Sequence, residues 1–347
     1  MILGIDFGHY SIKIVVIENK KIHAIGEKTI VEDLSLFDPD KLEVSHWSSA
    51  FKMLCDDLNI NTKKIDAVVS SISGSRVSIK PMSTLEMEEA ELIEILNFEA
   101  KKHVPLDGSD PVVDYHILGQ NPKEIDKIDI LLVATTQKII KAHNLIIKGC
   151  NLKNPIFDTD PLALLNCYKY NYDLLENNVD VILNVGLLNT TILVYGDNQE
   201  LFTREIAIAS HHINLDIMKL KNINYSEAED SKLNNGINAF ESENSDSDSD
   251  SESIKISQRN ILSELSDEIR KTLRYYMKSK AGISYNKFYI SGGLSNMPGL
   301  LEFLNSSLNV EFISLNPFNK MKLNQEIDNS SKYAVSFGLA LREVDKD

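Results

Sequence analysis

Cysteine is scarce in this chain: three in 347 residues, at Cys55, Cys150 and Cys167, with no C-x-x-C spacing and no histidine nearby at zinc-ligand spacing. That excludes a disulfide-held scaffold and a cysteine-based zinc site, and the compartment expected is the reducing cytoplasm. Long apolar runs are also missing. Val179–Leu188 and Ile128–Ala134 fall well short of the roughly 20 residues a membrane helix needs, and Asp129 breaks the second. The start, Met1-Ile2-Leu3-Gly4-Ile5-Asp6, has no basic stretch followed by a cleavable apolar one, so no signal peptide is expected. Positive charge is in deficit. Thirty-six Lys and Arg against 51 Asp and Glu leave a formal net charge of −15, which argues against nucleic acid and anionic lipid as partners. What the chain does have is 43% hydrophobic residues, enough for two globular units rather than one.

One segment stands apart in composition. Residues 241–252 carry six carboxylates and five serines and no apolar side chain. Such a segment cannot bury enough surface to offset its ordering entropy, and a disordered acidic loop is expected over about 234–253, opened by Asn234-Asn235-Gly236. Its bland reading is a solvated insertion, its functional one an interaction or phosphorylation segment. Removing its six charges from −15 leaves −9, still acidic.

Elsewhere strands and helices alternate. Ile2–Phe7 is a short apolar run and Ser11–Ile17 is rich in β-branched residues, the two joined by a tight turn at Gly8, and Lys21–Ile30 is a third candidate strand. Val179–Leu188 and Asn189–Tyr195 form a second strand pair around Gly186, and Lys287–Ile290 is a strand leading into Ser291-Gly292-Gly293. Ser83-Thr84-Leu85-Glu86 has capping-box spacing and predicts a helix with Leu85, Leu92, Leu96 and Ala100 in a stripe, Ile93 beside it, Lys101 and Lys102 in its last turn and Pro105 as its stop. A longer helix is predicted from Ser257 to Lys280, with Leu262, Leu265, Ile269, Leu273 and Tyr276 on one face and Gly282 past its end. Pro298 opens another, bearing Leu300, Leu301, Leu304 and Leu308. Two strand–Gly–strand hairpins about 180 residues apart, each opening an α/β half, form a weak internal repeat and point to two related α/β domains facing a cleft.

The chemistry-bearing residues cluster at those turns. In Asp6-Phe7-Gly8-His9-Tyr10-Ser11-Ile12-Lys13 a carboxylate ends a buried strand, where it is costly unless it orders water or a cation. Gly8 lets backbone N–H groups approach an anion, and Ser11 and Lys13 add a hydroxyl and a charge. Asn184-Val185-Gly186-Leu187-Leu188-Asn189-Thr190-Thr191 repeats the glycine and hydroxyl pattern, and Gly292-Gly293-Leu294 brings bare backbone to the cleft. Each alone also reads as an ordinary turn. Other candidates carry less: adjacent His211 and His212 cannot point the same way, Trp47 with Phe51 and Leu54 and the following Cys55 read as core, and His103 and His143 read as surface or capping residues.

Asp-x-Gly-x-x-Ser-x-Lys, the second glycine turn and Gly-Gly-x-Ser-x-x-Pro-Gly together resemble the actin/Hsp70/sugar-kinase ATPase superfamily. Within it the chain is similar to the PilM family, the actin-like proteins of type IV pilus assembly. That narrower likeness rests on Asn97-Phe98-Glu99-Ala100, Val104-Pro105-Leu106, Val113-Asp114-Tyr115, Asp158–Leu164, Thr203-Arg204-Glu205 and Tyr333–Arg342. The resemblance implies an α/β actin-like ATPase fold: two RNase H-like lobes around a nucleotide cleft, with a small inserted α+β subdomain. The first lobe would be residues 1–83, completed by 154–178 and 331–347, the insert 84–153, and the second lobe 179–330. ATP or ADP with Mg²⁺ would be the ligand. Asp6, Gly8, His9, Tyr10, Ser11 and Lys13 would form the first phosphate loop, with Asp6 toward the metal. Asn184, Gly186, Thr190 and Thr191 would form the second, and Gly292, Gly293 and Leu294 with Glu268 and Lys271 would hold adenosine.

The resemblance also implies that the insert is of the type shared with the division protein FtsA, and that a groove beside it receives the N-terminal cytoplasmic tail of a PilN-type inner-membrane protein. Other pilus platform or motor proteins and self-association belong to the same expectation, with a cytoplasmic location peripheral to the inner membrane. Two departures weaken the phosphate site: Asn184 stands where the family has aspartate, and Ala209-Ser210 stands for a glycine pair, so that side chains are expected near the phosphates. A neutral amide gives Mg²⁺ less field than a carboxylate, and robust ATP hydrolysis is not expected, although Asp158 and Asp160 could position a water. The leading reading is an assembly scaffold with nucleotide as a structural ligand. A working ATPase or small-molecule kinase, and a type II secretion scaffold of the GspL type, are the alternatives.

Overall fold

The computed structural model describes residues 1–104, 107–174, 178–196, 200–240, 260–280, 282–323 and 327–342. The acidic run 241–252 and Pro105 lie outside the described residues. The chain opens with β1 (Ile2–Phe7), β2 (Ser11–Glu18) and β3 (Lys21–Thr29), then α1 (Val44–Asp57) and β4 (Ala67–Ile72). There follow β5 (Ser78–Leu85), α2 (Glu89–Ala100), β6 (Pro111–Gln120), β7 (Lys127–Thr136), α3 (Gln137–Gly149), β8 (Pro155–Thr159) and α4 (Asp160–Asn171). The second half holds β9 (Asn178–Val185), β10 (Thr190–Tyr195), β11 (Phe202–Ile206), α5 (Ser210–Lys221) and α6 (Tyr225–Asn235). It closes with α7 (Ile261–Ser279), β12 (Ser284–Ser291), α8 (Leu300–Leu308), β13 (Phe312–Ser314) and α9 (Ala334–Leu341).

The internal repeat is a duplicated sheet. One sheet runs β3-β2-β1-β4-β8 and the other β11-β10-β9-β12-β13. In each, an antiparallel meander supplies one edge, and parallel pairing across the centre supplies the other. Parallel centres need cover on both faces, and the sequence supplies it. On β2, Ile12, Ile14 and Val16 face a core with Trp47, Phe51 and Leu54 of α1, while Val15 and Ile17 face the opposite way. That opposite core is shared by both sheets. Val15, Val69, Ile182, Leu193 and Tyr289 meet Leu164 and Tyr168 of α4 and Phe337 and Leu339 of α9. There α9 approaches α4 backbone to backbone, for a Cβ on Gly338 would strike the Ala163 carbonyl. The far face of the second sheet is covered by α5, α7 and α8 through Ile213, Ile269, Leu300 and their neighbours.

A third sheet, β5-β7-β6, carries α2 on one face through Leu92, Leu96, Ile130 and Leu132. It starts at Ser78, so the boundary expected at residue 84 falls inside β5. At its other end α3 leaves this sheet and packs on α1. The capping box expected at Ser83 does not form. Ser83, Thr84 and Leu85 are paired with Asp129, Ile128 and Lys127 of β7, and the Ser83 hydroxyl donates to Asp129 at 2.6 Å. The helix begins six residues later, with Leu92, Leu96 and Ala100 buried as expected but Leu85 exposed and Lys101 already its C-cap. Residues 234–240, expected to open the acidic loop, are folded. They end α6 and form a short 3-10 turn with Ala239 and Phe240 buried.

Candidate functional site

Both glycine turns end central strands of their sheets, β1 and β9, and they face one cavity of about 390 Å³. Asp6, Gly8, His9, Tyr10, Ser11 and Lys13 line it from the first sheet. Asn184, Gly186 and Thr191, then Gly292, Gly293 and Leu294, line it from the second. Twelve of the fifteen residues singled out in the sequence are thus brought together. Thr190 is not among them; wholly buried, it spends its hydroxyl on the Ile208 carbonyl at 2.6 Å. Glu268 and Lys271 lie elsewhere, paired with each other at 2.6 Å on the outer face of α7 beside Arg204, and they do not line the cavity.

A different Glu-x-x-Lys does. On α6, Lys232 is 1% exposed and donates to Glu229 Oε2 and to Ser210 Oγ, each at 2.6 Å. Asn214 donates to the same carboxylate oxygen at 2.6 Å. Burial lowers the Lys232 pKa, and Glu229 opposes that shift. Sequence offers the same spacing at both places; only the packing of α6 on α5 turns the Glu229 pair inward. Ser210 therefore reaches the cavity wall with its hydroxyl engaged, whereas Ala209, the other residue of the altered pair, is wholly buried in the core.

On the first sheet Asp6 stands opposite Lys13 in the β1–β2 ladder. Burial raises its pKa, with the Lys13 charge opposing. Lys13 donates to Ser11 Oγ at 2.9 Å, and Ser11 donates to Glu27 Oε1 at 2.6 Å. Glu27, on β3, also pairs with Lys332 from the segment before α9. Burial would raise the Glu27 pKa, but Lys13, Lys332 and Ser11 outweigh it and hold the carboxyl below its ordinary range. Neither Glu27 nor Lys332 carries any motif that sequence reasoning could have used.

Two buried oxygens at this cleft have no partner among the described residues: Asp160 Oδ1 and Glu205 Oε2. Burial, with the neighbouring Asp6 and Glu205 charges, pushes the Asp160 pKa up to about 8. Burial raises Glu205 too, although Thr191 donates to its other oxygen at 2.7 Å. Asp158, by contrast, is tied to Arg342 at 2.7 Å and does not line the cavity. These carboxyls are hard-oxygen donors of the kind Mg²⁺ takes. Among the described residues no three such groups converge closely enough to grip a metal directly, so a cation here would be held through water. The backbone fits an extended polar ligand. Gly292, at φ +95°, has no room for a Cβ against the Val185 carbonyl, while Gly293 opens onto free space.

The histidines have other uses. His211 and His212 turn to different partners, the Tyr225 hydroxyl and the Ala209 N–H. His143, expected as a surface or capping residue, is wedged edge-on between Phe7 and Phe157, with its Nε2 2.9 Å from Ser70 Oγ. Burial lowers its pKa to about 4. Its place on α3, against the first sheet rather than in the small one, is what buries it.

The family model described as type IV pilus assembly protein PilM matches residues 4–344. A solved PilM-PilN type IV pilus biogenesis complex is similar over 99% of this chain and 98% of its own, with 20% identity and a TM-score of 0.79. The ethanolamine utilization protein EutJ from Carboxydothermus hydrogenoformans is similar over 98% of this chain and 88% of its own (13% identity, TM-score 0.54). A diol dehydratase-reactivating factor in nucleotide-free form is similar over 98% and 99% (8% identity, TM-score 0.53). The duplicated sheets are those of the actin-like ATPase fold. Among the described residues no helix is long and apolar enough to cross a membrane.

Proposed function

The chain belongs to the PilM family of type IV pilus assembly proteins, and from that premise we propose that it is a cytoplasmic scaffold that docks on the tail of a PilN-type inner-membrane protein, with ATP or ADP as a structural ligand. The observation that carries the ligand half is that both glycine turns line one cavity, together with Ser11, Lys13, Thr191 and Gly293. Asp6, with Asp160 and Glu205, would hold Mg²⁺ through water, and Asn184 contributes a neutral amide in place of a second carboxylate. Glu229 and Lys232 take the nucleoside role that sequence had given to Glu268 and Lys271. With a neutral amide where a second phosphate-loop carboxylate would stand, turnover is slow and the nucleotide sets the angle between lobes.

On this reading the first lobe is residues 1–77 with 154–178 and 331–347, the boundary expected at 84 moving back to the start of β5, and the second is 179–330. The insert carries the docking groove. Support for that groove is the apolar surface the small sheet leaves open: Ile95 and Phe98 of α2, 43% and 68% exposed, and Val112, Ile117 and Leu118 along edge strand β6.

A thermal-shift titration tests the ligand. Nucleotide at a hundredfold over its Kd stabilises by about 2.7 kcal/mol. Mg·ADP or Mg·ATP should raise Tm in the native chain, and Asn184→Asp should enlarge the Mg²⁺-dependent part. A native chain that shifts with neither, while Asn184→Asp does, would leave a scaffold without nucleotide. For the partner, an immobilised PilN-type tail peptide should retain the chain and lose it on Phe98→Asp. Failure to retain it would remove the docking half.

A further inference from the structure

The two glycine turns are held from outside in different ways. In the second, the Gly186 carbonyl accepts from Ser210 N–H at 3.2 Å and the Leu187 carbonyl from His211 N–H at 2.8 Å, both in the first turn of α5. A trans peptide aims its N–H opposite its C=O, and no peptide bond in the described chain is cis. Tying those two carbonyls back to α5 therefore turns the N–H groups of Leu187 and Leu188 away from the helix, toward the cavity those residues line.

In the first half α1 follows β3 as α5 follows β11, so it occupies the equivalent place. There a side chain makes the tether. Trp47, in the first turn of α1 and 8% exposed, donates from Nε1 to the Gly8 carbonyl at 2.8 Å. Its ring also meets His9 edge-on, with centroids 6.3 Å apart and planes at 81°. Packing alone does not call for an indole here: Ala50, Phe51 and Leu54 continue the same buried stripe without a polar atom.

We propose that Trp47 is a positioning residue for anion binding: by holding the Gly8 carbonyl outward it aims the His9 N–H into the cleft as a donor to a phosphate oxygen. The inference rests on the nucleotide reading above and says which group arms the first turn. It makes Trp47 act on the phosphates and leave the nucleoside untouched.

The test compares Mg·ADP with adenosine, by calorimetric titration, on the full chain and on Trp47→Phe, which keeps an aromatic body and removes the N–H. Losing one well-made backbone donor weakens ADP about three- to tenfold, and adenosine affinity is unchanged. Equal ADP affinity in the variant overturns the proposal, and so does a matching loss for adenosine, which would make Trp47 a packing residue only. Trp47 is the sole tryptophan, so the native chain gives a second reading if the variant does not fold. ADP should change its fluorescence while adenosine does not. No change with bound ADP, or the same change with adenosine, refutes the proposal. A native chain that binds neither ligand removes the nucleotide reading and this one with it; a native chain that binds ADP, with the variant unaltered, removes this one alone.

Discussion

Replacing Lys232 by Met is the sharpest perturbation of the cleft. The substitution keeps an unbranched apolar stem and deletes an ammonium that is 1% exposed and bonded at 2.6 Å to both Glu229 and Ser210. Glu229 is left with one donor, Asn214, in a site where its side chain is only 10% exposed. Breaking a buried ion pair from one side costs about 3–5 kcal/mol, chiefly the desolvation of the charge left behind. The surviving amide bond argues for the lower end, about 3 kcal/mol. With roughly 2 cal/mol/K of unfolding entropy per residue, a cooperative unit of this length would lose about 4 °C in Tm. A urea titration and a thermal scan read the two quantities. The control is Lys232→Met with Glu229→Gln, which removes the orphaned charge and should recover most of the loss. A single variant within 1 kcal/mol of the native chain, or a double variant no better than the single, would refute the burial argument.

Asp160 governs a pH dependence. Burial, Asp6 and Glu205 lift its pKa from 3.8 to about 8, so the folded chain keeps a proton that the unfolded chain has lost. Its contribution is complete below about pH 4 and is lost as pH rises toward 8. The urea midpoint should fall over that window, and Asp160→Asn should flatten the fall; an unchanged slope would assign it to other groups. Phe37, between β3 and α1, reaches across to the second half, where its ring lies 5.0 Å from Tyr225 and 6.5 Å from His211. Phe37→Ala should cost about 2 kcal/mol of apolar burial and raise amide hydrogen exchange in α6. Exchange there that stays at the native rate would mean this contact does not hold the two halves together.

What sequence made legible here is local. The hairpins of β1–β2 and β9–β10 announce themselves because β-branched runs and a glycine lie next to each other in the chain, and nothing distant has to be known. The apolar faces of α1 and α7 are equally self-contained. The start of α2 is not legible in the same way, for a matching reason. Ser83 has a hydroxyl that can cap a helix or serve a strand, and the partner that decides, Asp129, is 46 residues away. The same holds for Glu268 with Lys271 against Glu229 with Lys232: one spacing written twice, distinguished only by whether the pair lies on the side of its helix that another helix covers.

The electrostatics of the cleft show how far this limit reaches into function. Sequence counts Lys13 as a free charge for phosphate. In the fold Glu27 stands between Lys13 and Lys332, and Glu229 holds Lys232, so each of these three cavity lysines already faces a carboxylate. Asp6, Asp160 and Glu205 add further acid to the same walls. An anion entering here finds little uncompensated side-chain charge to meet it. Its affinity must come from a cation that brings its own charge, and from backbone N–H groups aimed by the tethers behind Gly8 and Gly186. Backbone donors carry no residue signature, which is why this half of the site is invisible in sequence. Removal of Mg²⁺ should then cost more affinity for ATP than for ADP, since the additional phosphate meets no free lysine; equal losses would mean that Lys13 or Lys332 leaves Glu27 when the ligand arrives.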